Sequence, residues 1–465
     1  MKLYTRMNCV FGLINIAKRY WVILAMLLTA CHAIKRSETP VDLPQTASPA
    51  PAVTATMPPL PTFTPPPVIP TPTFTQSPVP SAPYPEEWLA FVVRDFRQFH
   101  PTIYELINPQ TAILFVNSNR SEVLQPELLD LNQARIERSL AWSADGQYLL
   151  FDGSSTLELR VQPIIYLADL LKRTTTTITS KFEYSSFYLG SPSWAPNGHQ
   201  LVTALETTVA NSGGIEQRAY NLIKLHALTL ESERLTISQS SDLHPSWSPD
   251  GQWIAFIRYI PPSSCPPSFP TNYLACNKAG LFLVRPDGSD PTLLRQPIYV
   301  QSDQDGRDFV YNSPSWSPDS RWLAVLVGDE QPDIALVNVE SGETQRLAAH
   351  PAQDLYPTWS PDGSHLAFVS DRDGNEEIYL VSADGSELIN LTRDLGSDFN
   401  PVWSPSGRFI AFLSDREEPG AYKLYLMNAD GTNQRKLHDG YVFTRPAWFP
   451  LIDVDLRNFI GLEND

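Results

Sequence analysis

Tryptophan recurs at positions 142, 194, 247, 316, 359, 403 and 448, at spacings of 52, 53, 69, 43, 44 and 45 residues. Its surroundings recur with it, as WSADG, WAPNG, WSPDG, WSPDS, WSPDG and WSPSG in the first six copies. Seven residues after each of those six comes the start of an apolar strand: Leu149, Leu201, Ile254, Leu323, Leu366 and Ile410. A second apolar run follows in most copies (LFLV at 281, IALV at 334, IYLV at 378, LYLM at 424), then a turn such as Asp384-Gly385 and a short last strand. Short strands joined by tight Asp-Gly turns are hairpins, so each copy reads as a four-stranded antiparallel meander. One meander cannot bury both faces. Repeated at roughly 45 residues, it predicts an all-β fold, a β-propeller whose blades bury one another.

The ends of the array predict how the ring closes. Trp448 lacks the following strand, while Leu89-Ala90-Phe91-Val92 is such a strand without a preceding Trp. Joining them makes seven blades, with Trp448 on the first strand of the last blade and residues 88–118 on its other three. Closure removes the free edges that an open array would expose. Pro192, Pro245, Pro314, Pro357, Pro401 and Pro446 stand two residues before their Trp, and Leu140 takes that place in the first copy. Proline cannot donate to a strand ladder and is confined to edges, so Pro-x-Trp is expected on the innermost strand, with Trp wedged between blades.

Residues 1–30 read as an export signal: Arg6, Lys18 and Arg19 precede a short apolar run from Trp21 to Leu28, then Leu28-Thr29-Ala30-Cys31. This resembles the lipobox of bacterial lipoproteins, which implies a lipid on Cys31. An ordinary signal with an incidental Cys is the alternative. Residues 31–87 follow as a disordered linker. Sixteen prolines fall within residues 39–87 with almost no charge. Such a stretch builds neither helix nor sheet; as polyproline II it would reach on the order of 100–150 Å. The domain plan is therefore signal 1–30, tether 31–87 and propeller 88–465.

The repeat, seen whole in LYPTWSPDGSHLAFVSDRDGNEEIYLVSADGSELINLT (355–392), resembles the WD-repeat-like blade of the TolB β-propeller family. The resemblance covers residues 88–450 and is strongest over 241–437. It implies a β-propeller built of such blades. That family's separate N-terminal α/β domain has no counterpart here; the Pro-rich tether takes its place. Similar blades occur in prolyl-oligopeptidase-like enzymes and oligogalacturonate lyases.

Chemistry is read as absent. The Gly-x-Ser-x-Gly elbow of a prolyl-oligopeptidase-like hydrolase occurs nowhere, and no His pair has metal-ligand spacing. No cofactor, no metal and no catalytic residue is expected; a polysaccharide lyase using the channel is the enzymatic alternative. Asp371-Arg372-Asp373-Gly374-Asn375-Glu376-Glu377 lacks the spacing of an EF-hand loop and reads as a hairpin connection. Cys265 and Cys276 bracket a Pro-rich insertion and, in an exported protein, are expected to form a disulfide. Residues 86–465 carry 49 acidic against 28 basic side chains, which repels phosphate backbones and excludes nucleic acid as a partner.

In a meander the second turn and the link to the next blade share one face. The long segments 207–221, 261–279 and 295–313 all fall there, and variable loops on a rigid scaffold are where binding is built. The residue three before each Trp should sit at the channel mouth on that face: Ser139, Ser191, His244, Ser313, Tyr356, Asn400 and Arg445. Phe269 and Tyr273, on the bracketed loop, are candidate aromatic anchors. The leading reading is a lipid-anchored, extracytoplasmic propeller, periplasmic or cell-surface, that binds an envelope protein or peptide. The alternatives are a saccharide-binding or saccharide-cleaving propeller and a structural spacer.

Overall fold

The computed structural model describes residues 87–94, 111–118, 123–124, 134–155, 163–172, 174–178, 192–210, 216–260, 278–298, 313–328, 331–442 and 444–450. The chain divides into residues 1–79 and 80–465, and every described residue lies in the second unit. The expected signal, the tether up to residue 86, Cys31, Ser191, Cys265, Phe269, Tyr273 and Cys276 lie outside the described residues, whereas Glu87, expected as the last residue of the tether, is buried and accepts the Ser406 backbone N–H through Oε1.

The described strands form seven antiparallel sheets, the seven blades of a propeller. Blades 1–6 each run in sequence order from an inner strand that ends on Trp: Ala134–Trp142, Ser193–Trp194, Ser241–Trp247, Ser315–Trp316, Asp354–Trp359 and Asp398–Trp403. Blade 7 joins both parts of the chain. Tyr441–Val442 and Ala447–Trp448 pair with Trp88–Arg94, which pairs with Thr111–Asn117. The outermost strand of that blade is Val123–Leu124, so blade 7 extends beyond residue 118, where the sequence pattern placed its end. A two-residue strand has too little alternation to stand out in a sequence. The segment 207–221 also differs from the expected loop. Gln200–Ala210 and Glu216–His226 pair along eleven residues each, so most of it is a long hairpin.

The blades pack by a repeated small-against-large rule. In a strand successive side chains face opposite sides. Eight residues after Trp stands an alanine in blades 3–6 (Ala255, Ala324, Ala367 and Ala411), flanked by larger apolar residues on the other face. Ala367 of blade 5 meets Ile410 and Phe412 of blade 6. Ala411 and Leu413 meet Leu89 and Phe91 of blade 7. Ala90 and Val92 then meet Leu149 and Phe151 of blade 1, which closes the core around the ring. Close approach of two twisted sheets needs a small residue opposite each large one, and the Leu-Ala-Phe-Val pattern supplies both at alternate positions.

The tryptophans tie neighbouring blades by hydrogen bonds as well as by packing. Each indole reaches the carbonyl of the residue just before the preceding blade's Trp: Trp194 Nε1 donates to Ala141 O (3.1 Å), Trp316 to Ser246 O (2.9 Å), Trp359 to Ser315 O (3.1 Å) and Trp448 to Val402 O (3.1 Å). Trp142 Nε1 donates to Ala447 O at 3.1 Å, across 305 residues of sequence, and carries the rule through the closure. Trp247 departs from it: its indole donates within its own turn to Gly251 O, and its backbone N–H takes Ser193 Oγ. Trp403 Nε1 is buried without a partner. The two indoles are therefore unequal. Trp359→Phe removes the inter-blade bond while Ser315 keeps its ladder pairing with Ala324, and should cost about 0.5–1.5 kcal/mol beyond its area loss, whereas Trp403→Phe removes an unpaired donor and should be within about 0.5 kcal/mol of neutral after its area loss. Urea unfolding of the two variants distinguishes them; equal losses would refute the indole link as a source of stability.

The Trp-Ser-Pro-Asp-Gly turn is self-contained. Ser360 Oγ donates to Asp362 Oδ1 (2.6 Å) and accepts the backbone N–H of His365 (3.0 Å); Ser143, Ser248 and Ser317 repeat this arrangement. In blade 4 a serine stands where blades 1, 2, 3, 5 and 6 have glycine. Ser320 takes φ 60°, and its Oγ accepts the N–H of Asp250 from the blade 3 turn. At Gly431 no such exchange is available, because φ is 80° and a Cβ would lie 2.9 Å from Leu391 O of the preceding blade.

Candidate functional site

The inner strands break their own ladder before each described Pro-x-Trp of blades 3, 5 and 6. The pairing shifts between Leu243 and Ser246, between Leu355 and Thr358, and between Phe399 and Val402. The residue before proline carries the bulge. His244 (φ 55°), Tyr356 (φ 56°) and Asn400 (φ 55°) are in the left-handed region, which non-glycine residues rarely adopt. Proline has no N–H to leave unpaired, so the strand can bulge there at little cost in hydrogen bonds. These are the positions three before Trp.

Four of the seven positions named from the sequence converge. Ser313, Tyr356, Asn400 and Arg445 line one cavity of about 240 Å³, with Ser246, Trp247 and Trp316 along its wall. They come from blades 4 to 7 and meet only because the ring brings successive inner strands to one axis. His244 holds the same repeat position in blade 3 and is fully buried. Ser139 lies within the inner strand of blade 1, and Ser191 precedes the described part of blade 2.

The polarity of the site is unusual for its burial. Asn400 is 1% exposed, and neither its Oδ1 nor its Nδ2 has a hydrogen-bond partner in the protein. Ser313 Oγ and both ring nitrogens of His244 are likewise buried without partners. Burial without a partner holds the His244 imidazole neutral and pushes its pKa down to about 3. Arg445 supplies the cationic group of the cavity wall, and its Nη2 donates to Pro401 O at 3.4 Å.

Two residues before the bulge stands a set of side chains that the sequence reading missed. Asp242, Asp354 and Asp398 are fully buried, and each is gripped by an arginine at the far end of the next strand. Arg258 binds Asp242 through Nε (2.6 Å) and Nη2 (2.8 Å), while Arg372 Nη2 reaches both oxygens of Asp354 (2.9 and 3.1 Å) and Arg416 Nη2 both of Asp398 (3.1 and 3.0 Å). Each guanidinium also lies over an aromatic ring of its own blade: 4.7 Å from Phe282, 4.8 Å from Tyr379 and 4.7 Å from Tyr425. Burial pushes these carboxyls upward against the opposing pull of the arginines. The signal was present as Asp-x-x-Pro-x-Trp followed by Ser-Asp-Arg, at 354–359 with 370–372 and at 398–403 with 414–416. The loop 371–376 joins His365–Ser370 to Glu377–Ser382, and within it Arg372 turns inward to Asp354. In blades 5 and 6 these pairs fasten the second turn to the start of the inner strand, beside the bulged residue, and in blade 3 Arg258 does the same from within the second strand.

No group of three or more His, Cys, Asp or Glu suited to a metal ion occurs among the described residues. Among the described residues no helix is long and apolar enough to cross a membrane.

Residues 298–453 match the family model described as the TolB beta propeller domain. Over 64 residues the chain is 39% identical to the Tol-Pal system protein TolB of Alcanivorax borkumensis, which is 13% of this chain and 15% of that protein. Over 144 residues it is 33% identical to the protein TolB homolog of Chlorobium luteolum, 31% of this chain and 27% of that one. The matches thus span less than a third of each of these curated relatives. Among solved structures, the putative TolB from Agrobacterium tumefaciens is 20% identical with a TM-score of 0.41, covering 62% of this chain and 98% of that chain.

Proposed function

We propose, on the premise that the chain carries a TolB-like β-propeller, that it is a binding module of the bacterial cell envelope that receives a protein or peptide at its channel mouth. The observation that carries this reading is the convergence of Ser313, Tyr356, Asn400 and Arg445, one residue from each of four successive blades, on a single cavity. Buried hydrogen-bonding groups without protein partners cost stability unless a ligand or water completes them. The similarity of part of the chain to a Tol-Pal system protein supports an envelope partner. In the same reading Cys31 carries the lipid, residues 31–87 are the tether, and Cys265 and Cys276 close a disulfide beside the binding face. The protein then sits outside the cytoplasm, anchored to a membrane, and performs no catalysis.

The test is a crosslinking pull-down from intact cells with the lipidated protein as bait and an Arg445→Ala/Tyr356→Ala double variant as comparison. One stoichiometric protein partner, reduced at least tenfold with the double variant, is the expected result. Equal capture by both forms would remove the channel mouth from the interface. Retention of envelope glycan in place of protein would overturn the reading and favour a saccharide-binding propeller.

A further inference from the structure

We propose that the cavity at the channel mouth receives the side-chain carboxamide of an asparagine or glutamine of the partner, and that Asn400 is the residue that reads it; this rests on the binding role just assigned to the cavity. Asn400 lines the cavity at 1% exposure, and its Oδ1 and Nδ2 are both buried without a partner. Ser313 Oγ, which lines the same cavity, is a third buried group without one. Asn400 thus presents an acceptor and a donor on one edge of a planar amide, and a ligand completes both only with a donor and an acceptor side by side. A carboxylate has no donor for Oδ1, and an ammonium has no acceptor for Nδ2. Each would leave one atom of the buried amide unpaired. A trans peptide group turns its N–H and C=O to opposite sides, so one such group meets only one of the two atoms. A primary carboxamide carries both on one edge: its N–H donates to Asn400 Oδ1, and its carbonyl accepts from Asn400 Nδ2. The Ser313 hydroxyl can donate or accept and is left for the remaining N–H or lone pair. The pairing is neutral and draws nothing from the Arg445 guanidinium, which already donates to Pro401 O.

Size narrows the source to a side chain. One residue of an extended strand also aligns an N–H with a C=O, but its neighbours must run through the site. A cavity of about 240 Å³ is roughly 6 Å across, less than two residues of extended chain at about 3.3 Å each. Tyr356 and Arg445, both half-buried, flank Asn400 from blades 5 and 7, so entry asks their side-chain ends to rotate, a change common at interfaces on binding. Trp247 and Trp316 are 7% and 8% exposed, so the wall offers a sugar ring no open aromatic face.

The experiment is affinity selection on the immobilised full-length protein, read by mass spectrometry. It uses hexapeptide pools that are N-acetylated and end in an N-methylamide, so that the caps carry no primary amide. One pool holds a single central Gln or Asn, the second Glu or Asp at that place, and the third Met or Leu. The expected result is retention of the carboxamide pool roughly tenfold or more above both others. Asn400→Asp keeps the shape, tolerates the φ of 55° and removes the Nδ2 donor, so it should bring that pool down to the apolar level. Ser313→Ala, at a half-buried position where the fold is spared, should lower it about threefold. Unchanged retention by either folded variant would overturn the assignment. A preference for the acidic pool, equal retention of the three pools, or retention of none would overturn the carboxamide site, while the pull-down from cells decides the binding role separately. Displacement of the bound peptides by N,N′-diacetylchitobiose, whose amides are secondary, would overturn the peptide source.

Discussion

Asp354→Ala should destabilise the protein by about 3–5 kcal/mol, because it leaves a buried arginine without its counter-charge. The Asp354 side chain is fully buried and that of Arg372 is 9% exposed. Arg372 keeps Ser370 Oγ and Ala348 O as partners, which hydrogen-bond the guanidinium without neutralising it. The double replacement Asp354→Leu/Arg372→Met should recover most of that loss. It removes both charges together and leaves an apolar side chain against Phe368 and Tyr379, where the guanidinium now lies. Lys172→Ala provides the contrast: Lys172 is 64% exposed in its pair with Asp169, and its loss should cost far less than that of Asp354. Guanidinium chloride unfolding at neutral pH measures all three. Equal costs for Asp354→Ala and the double variant would mean that the aspartate acts through packing rather than charge. The consequence for binding follows from position. Asp354 stands two residues before Tyr356, so a loosened pair should also loosen the cavity that Tyr356 lines.

Acid should weaken the protein through His244. Its imidazole titrates at about 3 in the folded state against an ordinary value of 6.5. Between those values the unfolded chain binds a proton that the folded chain refuses, so stability falls as pH falls through that interval. At pH 4.5 the contribution is about 2–3 kcal/mol relative to pH 7.5. His244→Asn places at the blade 3 bulge the residue that blade 6 already uses there, and asparagine tolerates φ near 55°. That variant should show a correspondingly smaller loss between pH 7.5 and 4.5 in urea unfolding followed by fluorescence. An unchanged pH slope would show that the His244 imidazole accepts a proton within the folded ring.

Legibility in the sequence followed the range of the interactions. The blade was readable from one repeat because its strands, its Asp-Gly turns and its Ser-Pro-Asp turn are local in sequence. Ring closure was readable too, since an orphan Leu-Ala-Phe-Val strand and an orphan Trp can complete each other only by meeting. The tryptophan wedge was foreseen from Pro-x-Trp, but its indole bond was not. That bond goes to a backbone carbonyl of the preceding blade, and any residue type supplies one. The Asp–Arg pairs were visible as letters, but only Arg372 was read, as part of a hairpin connection, and its partner Asp354 lies 18 residues away on another strand. Only burial of both groups reveals the pair.

The sequence by itself determined the blade, the number of blades and the joining of the two ends, and it singled out the seven positions three before each Trp, since each of these depends on periodicity and on which residues can stand on an edge. Tertiary structure alone decided which of those seven share a cavity and in what chemical state. Ser313, Tyr356, Asn400 and Arg445 are separated by 43 to 45 residues at each step, and no local pattern relates their side chains. Their meeting, the solitude of the Asn400 amide and the suppressed basicity of His244 arise from burial at the axis of a closed ring. Burial is a property of the whole ring, because it is set by every blade around the axis at once.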